Sequence, residues 1–127
     1  MIVVDASAAL SGILNAGPAR NALAAEQLHA PHLIDPEVAS GLRRQVAAGQ
    51  MSAADGWTAL DTWRRLGLIR YPVVALLDRV WELRESVSAY DATYVALAER
   101  LGCALMSADG KLSRAPGTRC PITVVPR

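Results

Sequence analysis

The 127-residue sequence contains no phenylalanine, and aromatic residues make up only 5% of it. Its core must therefore be built from aliphatic side chains and alanine. Only two cysteines occur, Cys103 and Cys120, which is too few for a disulfide framework and favours a reduced, cytoplasmic protein. No apolar run approaches the roughly 18 residues of a membrane-spanning helix, and no secretory signal pattern follows Met1. We therefore expect no membrane insertion.

A strong charge of either sign is also absent, because the formal net charge is +1. A nucleic-acid ligand would have to be held by a local patch or through a metal, since no global field attracts it. Apolar residues form 52% of the chain and charged residues 20%, which is typical of a globular protein. The length is just under the average for one domain, so we expect residues 1–127 to form a single domain.

Short apolar segments alternate along the chain with amphipathic segments of helical period. The expected strands cover residues 2–4, 28–30, 68–71, 103–106 and 122–125. The expected helices cover residues 6–14, 18–27, 36–48, 52–66, 74–84 and 88–101. This alternation predicts an α/β fold with a mainly parallel sheet covered on both faces, and in such sheets ligands bind beyond the carboxyl ends of the strands.

Four acidic residues occupy positions that this edge of the sheet would bring together. Asp5 ends the first strand, Asp109 follows the strand that ends at residue 106, and Glu37 and Asp91 lie in the first turns of helices. Two carboxylates about 4 Å apart repel by about 4 kcal/mol at an effective dielectric near 20. A cluster must therefore raise its pKa values or bind a cation, and an all-oxygen site favours Mg²⁺ or Mn²⁺. Such ions suit phosphoryl substrates.

Each acid also has an ordinary structural explanation. Asp5 could cap the helix that follows it, and Asp91 could be the third-position partner of Ser88 in a capping box. Asp109 precedes glycine in a common turn pair, and Glu37 would favour the dipole of its helix.

The second acidic segment leaves one further choice open, because Asp35 lies two residues before Glu37. If the helix begins at Pro36, Asp35 is a good N-cap and Glu37 is the better ligand candidate.

Four segments, in order, resemble the motifs of PIN-domain nucleases: residues 3–10 (VVDASAAL), 36–38 (PEV), 90–99 (YDATYVALAE) and 106–112 (MSADGKL). The length of the chain points, within that family, to VapC-type toxins of bacterial toxin–antitoxin pairs. The resemblance implies a three-layer α/β/α sandwich with a central, mainly parallel sheet. It also implies a metal-dependent ribonuclease that cleaves structured RNA, such as a tRNA or ribosomal loop, and leaves a 5′-phosphate and a 3′-hydroxyl. Family members typically form homodimers and are neutralised by a VapB-type antitoxin.

The same resemblance implies roles for the acids. Asp5, Glu37, Asp91 and Asp109 would form the catalytic pocket. Asp5 and Asp91 would bind Mg²⁺ or Mn²⁺ directly, and Asp109 directly or through water. Glu37 would orient a water or a second ion.

Supporting residues follow from the motifs and from charge. The resemblance implies that Ser7 and Ser107 hydrogen-bond the carboxylates or the scissile phosphate. Arginine forks match phosphate geometry, although for any single arginine a solvated helix surface is the more common explanation. The candidate RNA contacts are Arg43, Arg44, Arg64 and Arg65.

Other functions are compatible with parts of this pattern. The chain could be a catalytically inactive PIN-like interaction module whose acids only maintain structure. A phosphatase of the haloacid dehalogenase type usually needs a second aspartate at position 7, where this sequence has serine. A response-regulator receiver needs an aspartate after a central strand, but the segment 68–71 is followed by Pro72.

Overall fold

The computed structural model describes all 127 residues, and its centre is one five-stranded sheet. The strands are β1 (Ile2–Val4), β2 (Leu28–Pro31), β3 (Leu68–Tyr71), β4 (Ala104–Ser107) and β5 (Ile122–Val124). They lie in the order β3-β2-β1-β4-β5, and every pairing is parallel. The predicted α/β class with a mainly parallel sheet is confirmed.

Helices cover both faces of this sheet. They are α1 (Ala6–Leu14), α2 (Pro18–Ala25), α3 (Ile34–Ala47), α4 (Ala53–Arg64), α5 (Leu77–Glu82) and α6 (Ala89–Leu101). Helix α1 packs against α2, α3 and α4, whereas α5 packs against α6, which itself lies on β1, β2 and β4. The helix expected over 74–84 is shorter than predicted, because residues Val74–Leu76 form a 3₁₀ turn before α5.

The buried elements show why this sequence adopts the fold. Strand β1 is central, and its β-branched Val3 and Val4 are completely buried between the two helical layers. In α6 every residue from Ala92 to Ala98 is buried, and three alanines there let the helix approach the sheet closely. Helix α6 ends at Gly102, whose φ of 66° is the left-handed conformation that glycine adopts most easily.

The strand order creates a crevice beside β1. From β1 the chain builds outward to β2 and β3, and it then returns to add β4 and β5 on the opposite side of β1. Connections therefore leave the carboxyl ends of β1 and β4 in opposite directions, which is where parallel sheets bind ligands. Asp5 follows β1 and donates its backbone N–H to Met106 of β4 at 3.1 Å. Asp5 therefore lies at the crevice between the carboxyl ends of β1 and β4.

The sequence carries no helix with the length and hydropathy needed to cross a bilayer. Cys103 and Cys120 are both free thiols.

A helix that began at Pro36 would have had Asp35 as its N-cap. In the structure Asp35 lies inside α3 and is not its N-cap. The helix begins at Ile34, and Pro36 lies within its first turn, where proline is tolerated. Asp35 instead accepts two hydrogen bonds from Arg70 of β3, at 2.6 and 2.9 Å, and one from the indole of Trp63 of α4 at 2.9 Å. Burial alone would raise the pKa of Asp35, but these hydrogen bonds lower it below its usual value. Asp35 therefore ties α3 to α4 and β3.

Replacing Asp35 with alanine should destabilise the fold. The indole N–H of Trp63, whose residue is only 1% exposed, would lose its acceptor. A buried donor left unpaired costs about 1–3 kcal/mol, which chemical denaturation at pH 7 would measure as a lower free energy of unfolding. The pKa of Asp35 is lowered in the folded state. The difference in free energy of unfolding between the wild type and Asp35→Ala should therefore decrease as the pH falls through that pKa.

The control is Asp61→Ala, which removes the ion pairs of Asp61 with Arg64 and Arg65 on the surface of α4. Both arginines are well exposed, so this substitution should cost about 1 kcal/mol or less. Equal losses in the two variants would contradict the assigned role of Asp35.

Candidate active site

A cavity of about 520 Å³ lies at the carboxyl ends of β1 and β4. All four predicted acids line it, although they come from four separate segments of the chain: Asp5, Glu37, Asp91 and Asp109. The crevice that the strand order predicts is therefore the place where the acidic side chains meet.

Asp5 is the most buried of these acids, with 5% of its surface exposed. Its Oδ1 accepts hydrogen bonds from the backbone of Ala8 at 2.9 Å and from the hydroxyl of Ser7 at 2.7 Å. The first of these caps α1, so the structural explanation of Asp5 holds as well. Burial raises the pKa of Asp5, and hydrogen bonds from Ser107, Ser7 and Ala8 oppose that rise. Both of the contacts from Ser7 and Ala8 use Oδ1 and hold the carboxyl group at the cavity wall.

Two serines connect Asp5 to the loop after β4. The hydroxyl of Ser7 lines the cavity, accepts the backbone N–H of Ala108 at 2.8 Å and lies 3.3 Å from that of Ser107. Ser107 is fully buried and accepts the backbone N–H of Asp109 at 3.0 Å. Ser107 therefore shapes the loop that carries Asp109, and Ser7 links that loop to the carboxyl group of Asp5.

Glu37 is held by a residue that sequence reasoning missed. The hydroxyl of Tyr94, a residue only 2% exposed, donates to Oε1 of Glu37 at 2.6 Å. Burial raises the pKa of Glu37, the Tyr94 hydrogen bond lowers it, and the charges of Asp5 and Asp91 raise it further. Tyr94 lies three residues after Asp91, so helical spacing would have placed both on one face of α6.

Asp91 lies in the first turn of α6, where its backbone N–H donates to the hydroxyl of Ser88 at 3.1 Å. The predicted cap by Ser88 is therefore present. Burial raises the pKa of the Asp91 carboxyl, and the charges of Asp5 and Asp109 raise it further. The acids thus form one electrostatically coupled group, although no three of them are packed as closely as metal ligands.

Only part of the predicted arginine set lies at the cavity. Arg44 of α3 lines it, and its charge lowers the pKa of Glu37. Arg43 lies on the exposed surface of α3, outside the cavity lining. Arg64 is the last residue of α4 and Arg65 is its C-cap, and both pair with Asp61.

Sequence reasoning also missed Arg127, which lines the cavity beside the acids. The segment that carries it follows β5, whose parallel direction leads the chain to the same edge of the sheet as Asp5. Ser11 of α1 holds this segment by donating its hydroxyl to the carbonyl of Pro126. The expected strand over 122–125, placed in a mainly parallel sheet, was the signal that could have located Arg127 at this edge.

The donors of this cavity fit a hard divalent cation. Every acidic and hydroxyl ligand candidate offers oxygen, and neither histidine nor cysteine lines the cavity. Oxygen-only sets of this kind select Mg²⁺ or Mn²⁺ over softer metals.

Comparison with known proteins agrees with this geometry. The model of the PIN domain family matches residues 2–117. Ribonuclease VapC9 of Mycobacterium tuberculosis is 62% identical over 127 residues, which is the full length of both chains. The chain belongs to the VapC-type PIN-domain nucleases.

Solved structures share this fold. The VapC20 structure from Mycobacterium tuberculosis, described as a sarcin–ricin loop cleaving toxin, has a TM-score of 0.66 and 22% identity. The matched region covers 94% of this chain and 97% of the VapC20 chain. VapBC2 from Rickettsia felis, bound to a promoter DNA fragment, has a TM-score of 0.70 and 14% identity. The matched region covers 98% of this chain and 99% of the VapBC2 chain. These likenesses confirm the three-layer α/β/α PIN fold.

Replacing Asp91 with asparagine should stabilise the metal-free protein. A raised pKa means that the charged carboxylate costs folded-state stability, and this cost is present at pH values above that pKa. We expect a gain of about 0.5–2 kcal/mol in the free energy of unfolding, measured in EDTA at pH 7. The gain should disappear in acid, where the wild-type carboxyl is also neutral.

Asp78→Asn is the matched control, because Asp78 is an exposed aspartate in the first turn of α5. This substitution loses the same helix-dipole interaction but relieves no repulsion, so it should give no gain. A loss of stability in Asp91→Asn equal to that of Asp78→Asn would show that Asp91 is not strained by its neighbours.

Proposed function

We propose that this VapC-type protein is a Mg²⁺- or Mn²⁺-dependent endoribonuclease toxin. One observation carries the proposal: four carboxylates from separate segments line one cavity at the switch point of the sheet. Maintaining four acids in one place is costly unless a cation shares the site. The identity of 62% with a protein named as a ribonuclease supports RNA as the substrate.

Asp5 and Asp91 would bind the cation directly, and Asp109 would bind it directly or through water. The position of Asp5 is fixed by its cap on α1, and that of Asp109 by its hydrogen bond to Ser107. When bound, the ion supplies polarisation of the phosphodiester and activation of a water.

The protein's own groups would position the remaining reactants. Glu37, held by Tyr94, orients the attacking water, and its raised pKa suits it to accept a proton. Arg44 contacts the scissile phosphate from the cavity wall, while Ser7 donates to Asp5 and holds that carboxyl group in place. Water attacks the phosphorus in line with the P–O3′ bond, which breaks as O3′ leaves and takes up a proton, so the products carry a 5′-phosphate and a 3′-hydroxyl.

The partners follow from the family to which the chain belongs. VapC20 is described as cleaving the sarcin–ricin loop, which supports a structured RNA loop as the substrate class. VapBC2 is a complex, which supports neutralisation of this chain by a VapB-type antitoxin. We also propose that residues 1–127 are one PIN domain, that the protein forms a homodimer, and that it acts in the cytoplasm.

Removing either direct ligand should abolish cleavage. Asp5→Asn and Asp91→Asn are each expected to reduce the rate by on the order of 100-fold or more, since transition-state charge would lose its support. Asparagine at position 5 retains an oxygen that can accept the Ala8 N–H, so the cap and the fold survive. The measurement is the cleavage of total RNA with Mn²⁺, followed by mapping of the new 5′ and 3′ ends.

Asp78→Asn, which removes a carboxylate outside the cavity, should cleave at the wild-type rate. EDTA should stop cleavage by both the wild type and this control. Full activity in both Asp5→Asn and Asp91→Asn, with the fold intact by circular dichroism, would contradict the proposal. It would favour the interaction-module function instead.

A further inference from the structure

An exposed aromatic ring stands at the edge of the acidic cavity. Tyr90 lines the cavity, yet 66% of its surface is exposed. It directly precedes Asp91 in the first turn of α6. A large ring in this position meets whatever enters the cavity.

Tyr90 differs from the other strongly exposed aromatic residues. Trp57 and Trp81 are 57% and 68% exposed, but each has an arginine over its ring, Arg64 at 5.4 Å and Arg84 at 4.9 Å. Both tryptophans also lie outside the cavity lining. Tyr90 has no such cation over its ring, so the face of the ring is free to stack.

The helix places this ring in line with the active site. Tyr90 and Tyr94 are one turn apart on the same face of α6. The hydroxyl of the buried Tyr94 contacts Glu37, so Tyr90 lies one turn nearer to solvent than that contact. A nucleotide next to the scissile phosphate would therefore pass the ring of Tyr90.

Positive groups for the phosphates lie in the same cavity. Arg44 and Arg127 line it, and neither forms an ion pair with a carboxylate, whereas Arg64, Arg65, Arg70 and Arg79 do. The backbone amides of Ala89 and Tyr90 also precede the first hydrogen bond of α6, which runs from Ala92 to Ser88. Free amides at a helix start favour phosphate oxygens. The lining of the cavity thus combines four acids, two arginines without an ion-pair partner and one exposed aromatic ring.

We propose that Tyr90 stacks on an unpaired base of the RNA substrate, while Arg44 and Arg127 contact the flanking phosphates. This proposal rests on the proposed ribonuclease function and adds a determinant of specificity to it. Base–aromatic stacking needs a base that is not already stacked in a helix, so the ring selects single-stranded or loop RNA over duplex. Stacking alone tolerates any base, because every base has a π face.

Binding to two RNA forms separates stacking from a purely structural role. The probes are a labelled 12-nucleotide single-stranded RNA of random sequence and a duplex of the same length, measured by fluorescence anisotropy with Ca²⁺ to limit cleavage. The variants are Tyr90→Ala, Tyr90→Phe and Tyr90→Trp, with Trp81→Ala as the matched exposed aromatic outside the cavity.

We expect Tyr90→Ala to weaken binding of the single strand by about 5- to 100-fold, the range that loss of one stacked base gives. Tyr90→Phe and Tyr90→Trp keep a ring and should remain within about 3-fold of wild type. Duplex binding should be the same in all variants, and Trp81→Ala should resemble wild type with both probes. In cleavage assays Tyr90→Ala should raise KM and leave kcat nearly unchanged, because the ring does not touch the reacting atoms.

Several results would overturn the stacking role. One is unchanged single-strand binding by Tyr90→Ala, which would leave the ring for a protein contact. A second is an equal loss in Tyr90→Phe, which would assign the effect to the hydroxyl. A third is an equal loss of duplex binding in Tyr90→Ala. If the wild type still cleaves RNA, any of these results leaves the ribonuclease function standing, whereas absence of cleavage by the wild type overturns that function itself.

Discussion

Repulsion between carboxylates at one edge of a parallel sheet is the constraint on which the rest of this structure depends. The strand order opens a crevice between β1 and β4, and four acids from distant segments line it. Burial and neighbouring charge raise the pKa values of Glu37 and Asp91, so the folded chain carries this group at a cost. Uncharged side chains at these positions would make the folded protein more stable, whereas a site for a divalent cation requires the carboxylates.

The fold tolerates the cluster because its acids also have structural partners. Asp5 caps α1, Glu37 accepts from Tyr94, and Asp91 lies at the positive end of α6. The backbone of Lys111 donates to Asp109, as in an ordinary turn. The structural and functional explanations therefore hold together for these residues. For Asp5, Glu37 and Asp109, these contacts also hold the carboxyl group in place.

Much of this arrangement could be predicted from the sequence, because strands such as Ile2–Val4 and caps such as Ser88 depend on local patterns. The convergence of the acids followed from where parallel strands end. Long-range partners could not be predicted in this way. Asp35 was a reasonable N-cap by local rules, but Arg70 and Trp63 decide its role, and α3 begins before Pro36. Arg127 reaches the cavity through the direction of β5, and a mainly parallel sheet was the one signal that could have placed it there.

We infer that the acidic cavity binds a divalent cation, and such binding must stabilise the folded protein. Thermal and chemical unfolding should be compared with and without millimolar Mn²⁺, for the wild type and for the double variant Asp5→Asn/Asp91→Asn. An ion at 100 times its dissociation constant should stabilise the wild type by about 2.7 kcal/mol. The double variant should show no shift. An equal shift in both proteins, or none in the wild type at saturating ion, would contradict the claim.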